Sequence, residues 1–84
     1  MTIWKFPLDP ATLSLTMPMG AEILSLHLKG KTPTIWALVD ETAPTENVPI
    51  EIYGPGHTLP ANPGKFIGAF QTGPYVFHVF KAAV

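Results

Sequence analysis

Three neighbouring segments hold most of the side chains that could do chemistry: Tyr53-Gly54-Pro55-Gly56-His57, Asn62-Pro63-Gly64-Lys65-Phe66-Ile67-Gly68 and Tyr75-Val76-Phe77-His78-Val79-Phe80. Two glycines around a proline, followed by a histidine, imply a loop of fixed shape, because Gly serves where the backbone needs φ > 0 or must approach another group closely. Backbone N–H groups at Gly54 and Gly56, the imidazole of His57, the ammonium of Lys65 and the flat faces of Tyr53 or Trp36 together suit a small anion carrying a ring. Nests of main-chain amides hold anions without arginine, and aromatic faces stack bases. The same residues would also serve as a long connection between two β-hairpins, with the aromatics filling a small core.

Other chemistries find no support. Ser14 and Ser25 stand at outward strand positions and in no strand-to-helix elbow, and Asp40 and Glu41 are sequence neighbours whose carboxylates diverge. Gly54-Pro55-Gly56 lacks the third glycine and the following helix of a dinucleotide fingerprint. His27, His57 and His78 share no ligand spacing, and the chain has no cysteine, so neither a metal site nor thiol catalysis is expected. The reading is a protein without enzymatic activity or cofactor.

The elements that must position these residues are short. Ten prolines and seven glycines divide 84 residues into pieces too brief for an amphipathic helix. Residues 3–8 make a first strand, stopped by Asp9-Pro10. Residues 12–17 alternate, with Leu13, Leu15 and Met17 on one face, and a turn follows at residues 17–20. In residues 23–29, Leu24, Leu26 and Leu28 are expected inward and Ser25, His27 and Lys29 outward, before a hairpin loop at Gly30-Lys31. Residues 34–39 are apolar on both faces and read as a central strand. Residues 40–47 read as a polar loop, and a fifth strand runs over residues 48–53, where Pro49 suggests an edge or a strand start. After the loop at residues 54–64, residues 66–72 and 75–81 form a hairpin around Gly73-Pro74. The expected fold is all-β: one domain over residues 1–84, a compact sandwich or partly open barrel of about seven short strands.

Composition narrows the partners. Apolar residues make up 46% and charged residues 13%, which is the profile of a folding chain. All five basic residues are lysines, scattered at Lys5, Lys29, Lys31, Lys65 and Lys81, and this argues against duplex nucleic acid, whose readers use arginine forks. The longest apolar stretch, Ile35-Trp36-Ala37-Leu38-Val39, is far below the ~20 residues of a membrane span, and no signal-peptide pattern follows Met1. The expected compartment is the cytoplasm, with no membrane partner. A chain this small buries only about 60–65% of its unfolded surface, and with no disulfide or metal to supplement the core a homo-oligomer is expected. The strands around Trp36 and Phe77, apolar on both sides, suit that expectation.

Met1-Thr2-Ile3-Trp4-Lys5-Phe6-Pro7-Leu8, Pro18-Met19-Gly20-Ala21-Glu22-Ile23-Leu24, Ile35-Trp36-Ala37-Leu38-Val39-Asp40, Ile52-Tyr53-Gly54-Pro55-Gly56-His57 and Phe77-His78-Val79-Phe80 resemble a family of small uncharacterised proteins of bacteriophages and prophages. The likeness covers nearly the whole chain and departs from the family at Pro55, where Thr is favoured, and in the segment before Val48, where Arg is favoured. It implies a small non-enzymatic phage accessory protein in the cytoplasm of an infected bacterium, of the kind that counters host defence. Joined to the residue reading, it gives a protein that sequesters a small anionic, nucleotide-like ligand. The alternatives are an inhibitor that binds a host defence protein through an apolar β-face, and a minor structural or assembly protein of the virion.

Overall fold

The computed structural model describes residues 1–9 and 13–83, and in chain order they form β1 (Thr2–Pro7), β2 (Ser14–Pro18), β3 (Glu22–Lys29), β4 (Thr32–Val39), β5 (Thr45–Tyr53), β6 (Lys65–Thr72) and β7 (Tyr75–Lys81). None of the described residues is helical. The strands make two sheets, one of order β1-β4-β3 and one of order β2-β5-β7-β6, with every pairing antiparallel. The sheets do not close into a barrel, so the all-β expectation resolves to a sandwich.

The period-two patterns explain which faces meet. Ile35, Ala37 and Val39 of β4 are fully buried and belong to one core with Leu15 and Met17 of β2, Val48 and Ile50 of β5, and Val79 of β7. As expected from its two apolar faces, β4 is central, between β1 and β3. Trp36 and Leu38 lie on its other side and are half-buried. Leu8 leaves β1 but stays buried, its N–H donating to the Pro33 carbonyl at 2.8 Å.

Four expectations need correction. In β3 the register slips between Ile23 and Ser25, so a bulge at Leu24 breaks the alternation: Ile23 and Leu26 take the inner face and Leu24 is 48% exposed. Leu28, expected inward, is exposed where the strand runs out. The polar segment at residues 40–47 is only partly a loop, since Thr45, Glu46 and Asn47 pair with Pro18, Met17 and Thr16. Their polarity reflects exposure. Pro49 marks no edge, because β5 is internal. Its neighbours are staggered: β2 pairs with residues 45–49 and β7 with residues 50–53, so the missing N–H falls where one partner hands over to the other. The Pro49 carbonyl still accepts from the Ala82 N–H at 3.0 Å. Of the second expected strand, residues 14–17 are strand and Leu13 precedes it, while Thr12, like Pro10 of the expected first stop, lies outside the described residues.

Two close approaches fix how the layers and the long connection sit. At the β3/β6 corner, a Cβ added to Gly68 would stand 3.2 Å from the Leu26 Cβ, beside a second bulge at Ile67. The connection at residues 54–64 joins β5 to β6, which run parallel with β7 between them. Parallel strands need a crossover rather than a tight turn. The connection ends at Gly64, whose φ of +100° and contact with the Lys81–Ala83 backbone leave no room for a side chain. The β4–β5 turn is held by Asp40, whose carboxylate accepts from the Thr42 hydroxyl at 2.7 Å and the Thr42 N–H at 3.0 Å.

Gly64→Ala should cost about 3 kcal/mol or more in urea unfolding, combining left-handed strain with a backbone clash, whereas Gly56→Ala, also at positive φ but facing open space, should cost about 1–2 kcal/mol. Equal losses would remove the close approach as the cause. The Thr42 hydroxyl, then the Thr42 N–H, holds the Asp40 carboxyl below its ordinary value of 3.8. A depressed carboxylate adds stability that is complete above 3.8 and lost as pH falls through the folded value. Asp40→Ala should therefore melt below the parent at pH 7, with the gap closing in acid; a gap independent of pH would refute the assignment.

Candidate functional site

The segment from Gly54 to His57 is a turn that binds itself. The His57 N–H donates to the Gly54 carbonyl at 3.2 Å, and Pro55 followed by Gly56 at φ +81° gives the type II pattern. In return the Gly54 N–H donates to His57 Nδ1 at 2.8 Å. That imidazole nitrogen is therefore the acceptor, and the ring proton sits on Nε2. One of the two amides expected to face an anion is thus already occupied by the histidine expected to help it. Gly54 itself lies against the Phe77 ring, 2.9 Å from where its Cβ would be.

The other expected residues lie in different places. Tyr53 is on the outer face of the four-stranded sheet, its ring 5.7 Å from that of Phe80; Phe80 is 5.5 Å from Phe66, and Phe66 is 6.1 Å from His78. Lys65 stands across from Lys81, whereas Tyr53 stands across from His78. The Tyr53 and Lys65 backbones are three residues and two strands apart, on the order of 14 Å. Trp36 belongs to the other sheet and points away from all of them. Tyr53, Gly54 and His57 therefore share a neighbourhood, while Lys65 and Trp36 do not join it.

Trp36 has its own company. Across the outer face of the three-stranded sheet the register aligns Lys5, Trp36 and Ser25 in one row, Pro7, Thr34 and His27 in the next, and Thr32 with Lys29 beyond. Thr34 is buried despite its outward position, so the side chains around it close over it, and its hydroxyl donates to the Thr32 carbonyl at 3.2 Å. Lys5 and Lys29 stand on this same face, on the two edge strands β1 and β3. The neighbouring amine of Lys5 and its charge, and after them loss of water, hold the Lys29 amine below its ordinary value of 10.5. What moves Lys29 is another cation and loss of water, with no carboxylate among the causes. Glu22 lies on the same face but across from Leu38, beyond Trp36. Two ammonium groups, an imidazole, a serine hydroxyl and an indole thus share one face, a set of groups whose chemistry suits an anion with a flat group attached.

Sequence reasoning found Trp36 but not Lys5 or Lys29. The only available signal was that Lys29 and His27 alternate outward. The pairing of β1 with β4, which brings in Lys5, joins residues about thirty positions apart in the chain and has no local signature.

A family model for a domain of unknown function, DUF7352, matches residues 1–84. The chain belongs to the DUF7352 family. No curated protein and no solved structure matches it significantly. Among the described residues of this DUF7352 domain, no three of His, Asp and Glu come together as a metal site would require, and no helix is long and apolar enough to cross a membrane.

Because folding lowers the Lys29 value, the charged form that prevails at neutral pH costs stability, and that cost is relieved as pH rises toward 10.5. Lys5→Met in the DUF7352 domain should therefore raise the melting temperature at pH 7 in dilute buffer. The gain should shrink in about 1 M salt, where screening acts within ~3 Å. A variant less stable than the parent at low salt would show that the two amines do not oppose each other.

Proposed function

We propose that this protein binds and sequesters a small anionic, nucleotide-like ligand without chemical turnover, and does so as a phage accessory protein that counters host defence. The observation that supports the reading is the outer face that Lys5 and Lys29 share with the half-buried indole of Trp36. Charge repulsion between the amines would be relieved by an anion between them, and the indole offers a stacking face for a base. The setting in a phage rests on the sequence resemblance. The type II turn at His57 is a second place for the ligand, with Tyr53 beside it and the Nε2 proton free to donate.

A specific observation also favours capture of a host protein. Tyr53, Phe66, His78 and Phe80 form a continuous group of rings on the outer face of the four-stranded sheet, and Phe66 is 54% exposed. Such a group matches the aromatic anchors of protein interfaces, including one between copies of this chain.

Calorimetry against inorganic phosphate and a panel of linear and cyclic nucleotides tests the first reading. One nucleotide should bind, phosphate alone should bind more weakly, and Lys5→Ala or Lys29→Ala should lower affinity about tenfold to a hundredfold, the worth of one charged hydrogen bond. His57→Ala and Lys65→Ala should leave it unchanged; loss confined to those two would move the site to the loop. Absence of any binder would leave protein capture as the reading, to be followed by light scattering for self-association and by capture from bacterial lysate with a Phe66→Ser control.

A further inference from the structure

Among the described residues, one end of the sandwich carries a cleft of about 320 Å³ walled by Leu8, Leu13, Ile52, Phe70 and Phe77. The Phe70 and Phe77 rings, 5.4 Å apart and within 23° of parallel, make one wall. The cleft opens to solvent at the edge of the core, and what sets it apart is its mostly apolar lining. At about 30 Å³ per water-sized group it holds about ten heavy atoms.

The polar groups on its lining are few and placed together. Lys31, in the two-residue turn between β3 and β4, reaches the cleft from one sheet, and Thr72, at the end of β6, reaches it from the other. Leu13 enters it from a left-handed backbone, φ +46°, which a residue with a Cβ adopts rarely. That conformation is held from both sides: the Leu13 N–H donates to the Asp9 carbonyl at 3.1 Å and its carbonyl accepts from the Ile50 N–H at 2.9 Å. Strain of this kind persists where surrounding structure imposes it, and here it turns an apolar side chain into the mouth of the cleft.

We propose that this cleft is a binding site for a small amphipathic anion: a single acyl chain or apolar ring system in the cleft, with its carboxylate or equivalent acid group paired to Lys31 and hydrogen-bonded by Thr72. The occupant is fixed by complementarity, since an apolar cavity with one flexible cation on its lining favours an apolar body with one negative head. The site lies between the layers, whereas the Lys5–Lys29 group lies on the outside of one of them, so the two proposals stand or fall separately.

Titration of the isotope-labelled full chain with decanoate and with decyltrimethylammonium, both below their micelle concentrations, distinguishes the outcomes by amide chemical shifts. Decanoate should give saturable shifts at Leu13, Lys31, Thr72 and Phe77, and the cationic analogue should bind at least tenfold more weakly. Lys31→Glu should reverse that preference, a result that loss of folding cannot imitate. Thr72→Phe, which adds a ring to the lining, should weaken both ligands while raising or preserving the melting temperature. Absence of saturable shifts, shifts centred on Trp36 or Phe66 instead, or a charge preference indifferent to Lys31→Glu would each overturn the proposal.

Discussion

The contact of Leu26 with Gly68 governs how the two layers meet. Any side chain at position 68 would press on the leucine, 3.2 Å from its Cβ, and both strands at that corner are bulged beside it, β3 at Leu24 and β6 at Ile67. Bulges bend and twist the strands that carry them, so two facing bulges let the sheets lean together at one corner. A chain of this length has little interior to fill, and the cleft walled by Leu8, Leu13 and Phe77 stays open to solvent. The same shortage of interior volume leaves apolar residues on the outside, which is why Trp36 and Leu38 cover one outer face and Tyr53, Phe66 and Phe80 the other.

What could be read from the sequence was whatever repeats locally. Alternation identified the inward side chains of β2 at Leu15 and Met17, and the two apolar faces of β4 identified its central place. Gly30-Lys31 and Gly73-Pro74 marked both hairpins. Alternation failed at Leu24 because a bulge shifts the period by one, and nothing in Ile-Leu-Ser announces a bulge. Thr45 to Asn47 resembled a loop because they are strand residues that face water beside β2. Pro49 misled because an internal strand can spare one N–H when its two neighbours are staggered.

The site shows the same division. The fixed shape of Gly54-Pro55-Gly56-His57 was legible, since proline and glycine in those positions specify the turn. Its internal hydrogen bond to Nδ1 was not, because a histidine three residues on can point either back or outward. The dispersal of Lys65 and Trp36 follows from strand order, which is a property of the whole chain. So does the meeting of Lys5 with Lys29: a sheet places residues side by side that sequence separates, and only pairing and register reveal it.

The crossover from β5 to β6 also dictates an order of assembly. As the chain leaves the ribosome, β6 is complete before β7 exists, yet β7 is the only strand it pairs with, and β5 has one of its two neighbours missing until the same moment. Closing β7 on β6 spans only the short turn at Gly73-Pro74, whereas docking that hairpin on β5 must also close the long connection, which makes this step slow relative to the β3–β4 hairpin. Until it happens, the edges of β5 and β6 are open to any other strand, including those of a second nascent copy.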